Sequence, residues 1–168
     1  AVKTDFSKIL SPKNKSKLAV VYDCISTKDI DVDANFISEF TNKYDIKPTD
    51  FIIGSIANHT KAKDIPTLIS AINILVTKYN VSNFKLVQVG EFSKLTPEFQ
   101  AQIAALNLSN HIILTNKISN AKMLNIIFDV FVVSSSREGG PSSALESMLM
   151  QTLIVTTNVG IMPEIIKN

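Results

Sequence analysis

A single cysteine, Cys24, leaves this 168-residue chain without an internal disulfide scaffold or a multi-cysteine metal site, and is what a reducing compartment tolerates. Histidine is nearly as scarce. His59 and His111 are too few and too far apart to begin a zinc site without carboxylates, so no metal is expected. Arginine occurs once, at Arg137, among seventeen basic residues, and no bidentate arginine cluster can be assembled. Those seventeen face fifteen acidic residues, and a formal charge of +2 gives no general electrostatic reason to expect nucleic acid as a partner. No apolar run approaches the ~18 residues of a membrane span, and the N-terminus carries no signal-peptide pattern. A soluble, cytoplasmic chain is therefore expected. Glycine is limited to five positions, and the first core strand offers only Gly54, inside the strand itself. That excludes the three-glycine dinucleotide fingerprint, and no run ends in the Gly-Lys-Ser/Thr of a phosphate-binding loop. Ser147 and the other serines lack a nucleophile-elbow context, which sets aside the common hydrolase.

What is present is enough carbon for one core: 45% apolar residues in a chain of single-domain size, with mean hydropathy +0.19. Residues 1–17 read as a polar lead-in arm, and the domain proper as 18–168. Leu18 to Tyr22 is a short apolar run of strand character, and Asp33 to Tyr44 has helical spacing through Phe36, Ile37 and Phe40. From residue 51 the pattern is regular. Strands are expected at 51–57, 84–89, 111–114, 129–133 and 153–156. Helices are expected from Asp64 along the stripe Ile65, Leu68, Ile72, Leu75 and Tyr79, then at 97–106, 121–127, 143–150 and 162–166. Strand runs that are apolar throughout, separated by helices, predict a doubly wound parallel sheet of Rossmann-like α/β class. Ligands of such sheets lie beyond the carboxyl ends of the strands, which directs attention to the loops after Ala57, Gly90, Leu114, Ser134 and Thr156.

The most unusual of these loops is SSSREGGPSS, residues 134–143, between a buried strand and a helix start. Free backbone N–H groups in the first helical turn could hold an anion or a sugar hydroxyl, and Gly139 and Gly140 would let a ligand approach the backbone. The same loop also reads as a plain strand-to-helix turn with Pro141 in the first helical positions. Glu138 and Glu146 could grip different hydroxyls of one polyol, since carboxylates are pure acceptors. Against that, Ser143 and Glu146 match an S-x-x-E capping box, and Glu138 could pair with Arg137 or face solvent. His59, Lys61 and Lys63 follow the first core strand and precede a helix N-terminus, a setting for a phosphate dianion or diphosphate, or for an ordinary soluble loop.

Residues 20–26 (VVYDCIS), IGSIAN at 53–58, KDIPTL at 63–68 and KLVQVG at 85–90 together resemble successive segments of one enzyme family. The strongest stretches are DVFVVSSSREGGPSSALESM at 129–148 and TTNVGIMPE at 156–164. They resemble the C-terminal, donor-binding half of the retaining glycosyltransferases of two-domain GT-B type, in the large family numbered four. Asp23, Cys24 and Ser26 stand where that family's entrance segment has Asn, Gly and Asp.

The resemblance implies a nucleoside-diphosphate sugar, UDP- or GDP-linked, as donor, with no cofactor. It implies that Glu138 contacts the transferred sugar, and that the backbone of Gly139, Gly140, Pro141 and Ser142 holds the sugar and adjacent phosphate. Glu146 would accept from the ribose and Lys63 would neutralise the diphosphate. The backbone near Leu114 and Thr115 would border the base, and Gly90 would allow close approach. Val159, Gly160 and Glu164 match the terminal loop. The acceptor, a glycan or lipid-linked molecule, would be held by an N-terminal domain, with the parent protein cytoplasmic at the inner face of the membrane. Three further positions depart from the family: Asn58 for an arginine, with Lys61 or His59 as candidate replacement charge, Ser134 for a proline and Gln151 for a glycine. The alternative to an enzyme is a noncatalytic nucleotide-sugar-binding module.

Overall fold

The computed structural model describes residues 7–22, 24–26 and 32–166. Five parallel strands form one sheet: β1 (Phe51–Ile56), β2 (Phe84–Val89), β3 (Ile112–Thr115), β4 (Val130–Val133) and β5 (Leu153–Thr156). Their order is β3-β2-β1-β4-β5, so the chain winds outward from β1 to β3 and then returns to the other side of β1. The point where the winding reverses, between β1 and β4, opens a crevice at the carboxyl ends of the strands. This is the doubly wound, Rossmann-like architecture that the apolar strand runs predict.

Successive strand residues point to opposite faces and so feed two cores. On one face Ile53, Leu86 and Ile112 pack with Ile65, Leu68, Ile69 and Ile72 of α3 (Ile65–Thr77) and with Phe99 and Ile103 of α4 (Thr96–Ala105). On the other, Ile52, Val87, Phe131 and Val133 meet Phe40 of α2 (Ala34–Lys43) and Ala144 of α5 (Ser142–Leu149). A short helical turn at Pro12–Lys15, α1, precedes these, and α6 (Met162–Ile165) follows β5. Asp33 caps α2 by accepting from the Asn35 and Phe36 N–H groups, and Asp64 caps α3 through the Thr67 N–H and hydroxyl.

The structure corrects four expectations. Leu18 to Tyr22 is not a strand: it joins no sheet, and Val21 is almost wholly exposed. An apolar run of five becomes a strand only when a neighbour pairs with its backbone, and none does here. Tyr79 leaves the apolar stripe because α3 ends at Thr77 and Asn80 turns left-handed (φ 54°), which carries the tyrosine out to solvent. Residues 121–127 wind as a 3₁₀ rather than an α-helix, with i→i+3 bonds from Met123 to Asn120 and from Phe128 to Asn125. Strand β5 is an edge with Leu153 and Val155 exposed, so the cover of both faces that β2 and the interior of β1 (residues 52–55) have is lacking there. Of the entrance segment, Asp23 lies outside the described residues, as do positions 1–6 of the lead-in arm.

Candidate functional site

The crevice begins where β1 and β2 run on together past their ends. The Ala57 N–H donates to the Val89 carbonyl (2.8 Å) and the His59 N–H to the Glu91 carbonyl (2.9 Å), holding the two loops side by side. Gly90 makes that approach possible: a Cβ there would lie 2.0 Å from the Ala57 carbonyl oxygen. Gly90 does line the crevice, yet the neighbouring chain already accounts for its missing side chain. Gly139 is the opposite case, with no atom within 4 Å of an added Cβ, so no protein group requires glycine there.

Two serines fasten the loop after β4 to the turn after β1, and a third, between them, holds the loop's own carboxylate. The Ser134 hydroxyl donates to the Lys63 carbonyl (2.8 Å), the Ser136 N–H to the Ala62 carbonyl (2.8 Å), and the Ser135 hydroxyl to Glu138 Oε1 (2.7 Å). Thus secured, the 3₁₀ turn Lys61–Lys63 aims the Lys63 ammonium at Glu138, and the two form an ion pair through the same Oε1. Their side chains are only 27% and 11% exposed, so water screens the pair less than it would on an open surface. The partner of Glu138 is thus Lys63, across the crevice, rather than the adjacent Arg137.

The capping box does not form. Helix α5 opens at Ser142 with Pro141 as its N-cap, which places Ser143 inside the first turn, where it has no capping role. Proline has no side-chain acceptor, so the first turn of α5 faces the crevice without a side-chain cap. Glu146 consequently lies in the crevice wall. Burial raises its pKa above the usual carboxylate range, an effect that the Lys122 ammonium partly offsets.

Glu138, Glu146, Lys63, Asn58, Gly90 and the Gly140–Ser142 backbone therefore meet around one crevice of about 320 Å³. A second cavity of about 260 Å³ lies on the other side of Glu146 and Ser142, lined by Cys24, Lys122 and Met123 among others. Lys61 is exposed and does not reach the crevice. His59 is 1% exposed and cannot serve as a surface cation: its Nδ1 accepts from the Thr96 hydroxyl (2.8 Å) and its Nε2–H donates to Gln88 Oε1 (2.6 Å). Desolvation lowers its pKa, which fixes it as a neutral core imidazole. Leu114 packs into the core and Thr115 is 3% exposed, and neither lines the crevice. Lys117, Ile118 and Ala121 form that wall instead. The sequence signal for them is the polar run after β3, in which Asn116 Oδ1 accepts from the Phe92 and Lys117 N–H groups and turns the chain toward the crevice.

The departures at Asn58, Ser134 and Gln151 have local physical accounts. Asn58 Oδ1 accepts from the Glu91 N–H (3.0 Å), a bond no arginine could make because guanidinium has no acceptor. Ser134 supplies the hydroxyl to Lys63 that a proline would lack. Gln151 sits at φ 61°, in the left-handed region where a glycine is unstrained and another residue costs about 1 kcal/mol. Among the described residues no three His, Cys, Asp or Glu side chains gather to hold a metal, and no helix is long and apolar enough to cross a membrane.

Comparison with known proteins places this architecture. A capsular polysaccharide biosynthesis glycosyltransferase, CapM of Staphylococcus aureus, is 28% identical over 111 residues, which are 66% of this chain and 28% of CapM. Two solved structures superpose over essentially the whole chain. A glycosyltransferase from Rickettsia africae gives a TM-score of 0.84 at 23% identity, covering 100% of this chain and 45% of its own. HepE of Anabaena, in complex with UDP and glucose, gives 0.85 at 18% identity, covering 99% and 44%. The chain thus spans less than half the length of these relatives. The family model for "Glycosyl transferases group 1" matches residues 36–168, from the first long helix through the crevice loops to the terminal turn, and the chain belongs to that family.

Proposed function

We propose that this chain is the C-terminal, donor-binding domain of a retaining glycosyltransferase of family four. It holds a nucleoside-diphosphate sugar in the 320 Å³ crevice for hexose transfer to a glycan or lipid-linked acceptor. The observation that carries the reading is the convergence of Lys63, Glu138, Glu146 and the uncapped start of α5 on that one crevice. A cation and a helix N-terminus suit a diphosphate, and two carboxylates suit sugar and ribose hydroxyls. HepE, which shares the fold, is seen with UDP and with UDP-glucose.

In the reaction the bond from the sugar C1 to the diphosphate oxygen breaks, and a bond from C1 to the acceptor oxygen forms on the same face. The acceptor proton passes to the leaving phosphate oxygen. Lys63 and the first turn of α5 meet the negative charge that develops on that leaving group. An N-terminal domain would carry the acceptor and complete the water-excluding cleft, with the parent cytoplasmic and peripheral to the membrane. The 168-residue chain alone is expected to bind diphosphate nucleotide and to transfer no sugar. Calorimetric titration of the chain with UDP, GDP and ADP tests this and selects the base, and the absence of binding to all three would sink the reading. In the full-length parent, Glu138→Ala should abolish transfer.

A noncatalytic nucleotide-sugar-binding module is the second reading, favoured by the single fact that Asn58 replaces a family arginine. Asn58→Arg discriminates between them. The variant loses the acceptor for the Glu91 N–H, at a cost of about 1 kcal/mol, or a melting temperature lower by about 3 °C. It places a guanidinium in the crevice wall, and diphosphate affinity should rise several-fold. Transfer by the parent that appears only with Asn58→Arg would establish the binding module. Transfer by the unaltered parent establishes the enzyme.

A further inference from the structure

Glu138 Oε1 accepts from two donors at once, the Lys63 ammonium and the Ser135 hydroxyl. Among the described residues Oε2 receives none. We infer that Ser135 is a positioning residue for donor-sugar recognition: it holds one oxygen of Glu138 so that the other is presented to a hydroxyl of the transferred hexose. The inference rests on the nucleotide-sugar reading of the crevice.

The two donors on Oε1 have different fates when a diphosphate arrives. Lys63 is a flexible ammonium at the crevice wall, and a diphosphate with more charge than one carboxylate draws it away from Glu138. Ser135 cannot follow, because it is 2% exposed and its backbone is clamped. Its carbonyl accepts from the Thr157 hydroxyl (2.6 Å), and its neighbours Ser134 and Ser136 are tied to Lys63 and Ala62. Once Lys63 turns to phosphate, the Ser135 hydroxyl is the one donor left on the carboxylate among the described residues. A glutamate in a glycine-containing loop without that donor would sample several rotamers, and ordering it would subtract from the affinity gained through the sugar. Ser135 thus acts on the hexose increment and leaves phosphate binding alone.

The test is the ratio of two affinities on the 168-residue chain: the diphosphate nucleotide selected by titration, and the same nucleotide carrying a hexose. Ser135→Ala should reduce the gain from the hexose by about five- to tenfold, the scale of one net intramolecular hydrogen bond, while the bare diphosphate stays within about twofold. Ser135→Cys keeps the volume with a feeble donor and should behave like Ser135→Ala, which guards against a folding defect in either variant. Equal losses for both ligands, or an unchanged hexose gain, would overturn the positioning role and leave the nucleotide reading standing. An unaltered chain that gains nothing from the hexose would also overturn it. Failure of the unaltered chain to bind any diphosphate nucleotide would remove the reading of the crevice, and this inference with it.

Discussion

Lys63→Ala is expected to weaken UDP or GDP binding by about tenfold to a hundredfold, the scale of 1.5 to 3 kcal/mol for a hydrogen bond to a charged group, and to leave UMP or GMP binding nearly unchanged. The difference arises because the second phosphate adds the charge that the ammonium reads. The ion pair with Glu138 makes the loss larger than a deleted contact would. Removing the lysine leaves the Glu138 carboxylate, with its side chain only 11% exposed, facing the incoming diphosphate without its counter-charge. Glu138→Gln should move the other way for the bare diphosphate, since it releases Lys63 and removes a like charge, and it should erase the gain from the sugar. Calorimetry on the two variants with mono- and diphosphates reads both effects. Equal losses for mono- and diphosphates in Lys63→Ala would place this lysine away from the second phosphate.

The sequence carried the sheet because parallel strands covered on both faces are written as unbroken apolar runs, and β1 and β2 came within a residue of their structural bounds. It misjudged elements whose fate depends on a partner distant in the chain. Leu18 to Tyr22 has strand composition but no neighbouring backbone, and Tyr22 instead donates its hydroxyl to Glu164 (2.6 Å). Within the site, Glu138, Glu146 and Lys63 were legible from residue type and loop position, and the crevice does bring them together. Their pairing was not legible, since Lys63 and Glu138 lie 75 positions apart and only the sheet order puts β1 beside β4. The buried place of His59 is hidden in the sequence for a related reason. Its neighbours Lys61 and Lys63 suggest a charged loop, while Gln88 and Thr96, which make it a core residue, come from β2 and α4. The roles of Ser134 to Ser136 are not legible because a serine triplet has no signature until the carbonyls and the carboxylate it meets are known.

Glu146→Gln should separate function from stability in opposite directions. The side chain makes no cap, so the substitution removes no bond from the helix start. Burial has raised the carboxyl pKa, which means the folded state holds its proton more tightly than the unfolded chain does. The favourable contribution is then fully present below the unfolded carboxyl value, near 4.3, and is lost as the pH rises through the folded value. At neutral pH the ionised carboxylate therefore costs stability, and a glutamine, neutral throughout, does not. Melting temperatures of Glu146→Gln should exceed those of the unaltered chain at pH 7, with the advantage fading as the pH falls below the carboxylate range. Nucleotide binding should move the other way. A charged carboxylate accepting two ribose hydroxyls outweighs an amide by about 1.5 to 3 kcal/mol, so affinity should drop about tenfold or more. A half-buried carboxylate that only the charge of Lys122 partly compensates costs the empty fold stability, and a gain in nucleotide affinity is what would offset that cost. Normal nucleotide affinity in Glu146→Gln, together with a melting temperature lowered by several degrees at pH 7, would return Glu146 to structure and leave Glu138 as the carboxylate that reads the donor.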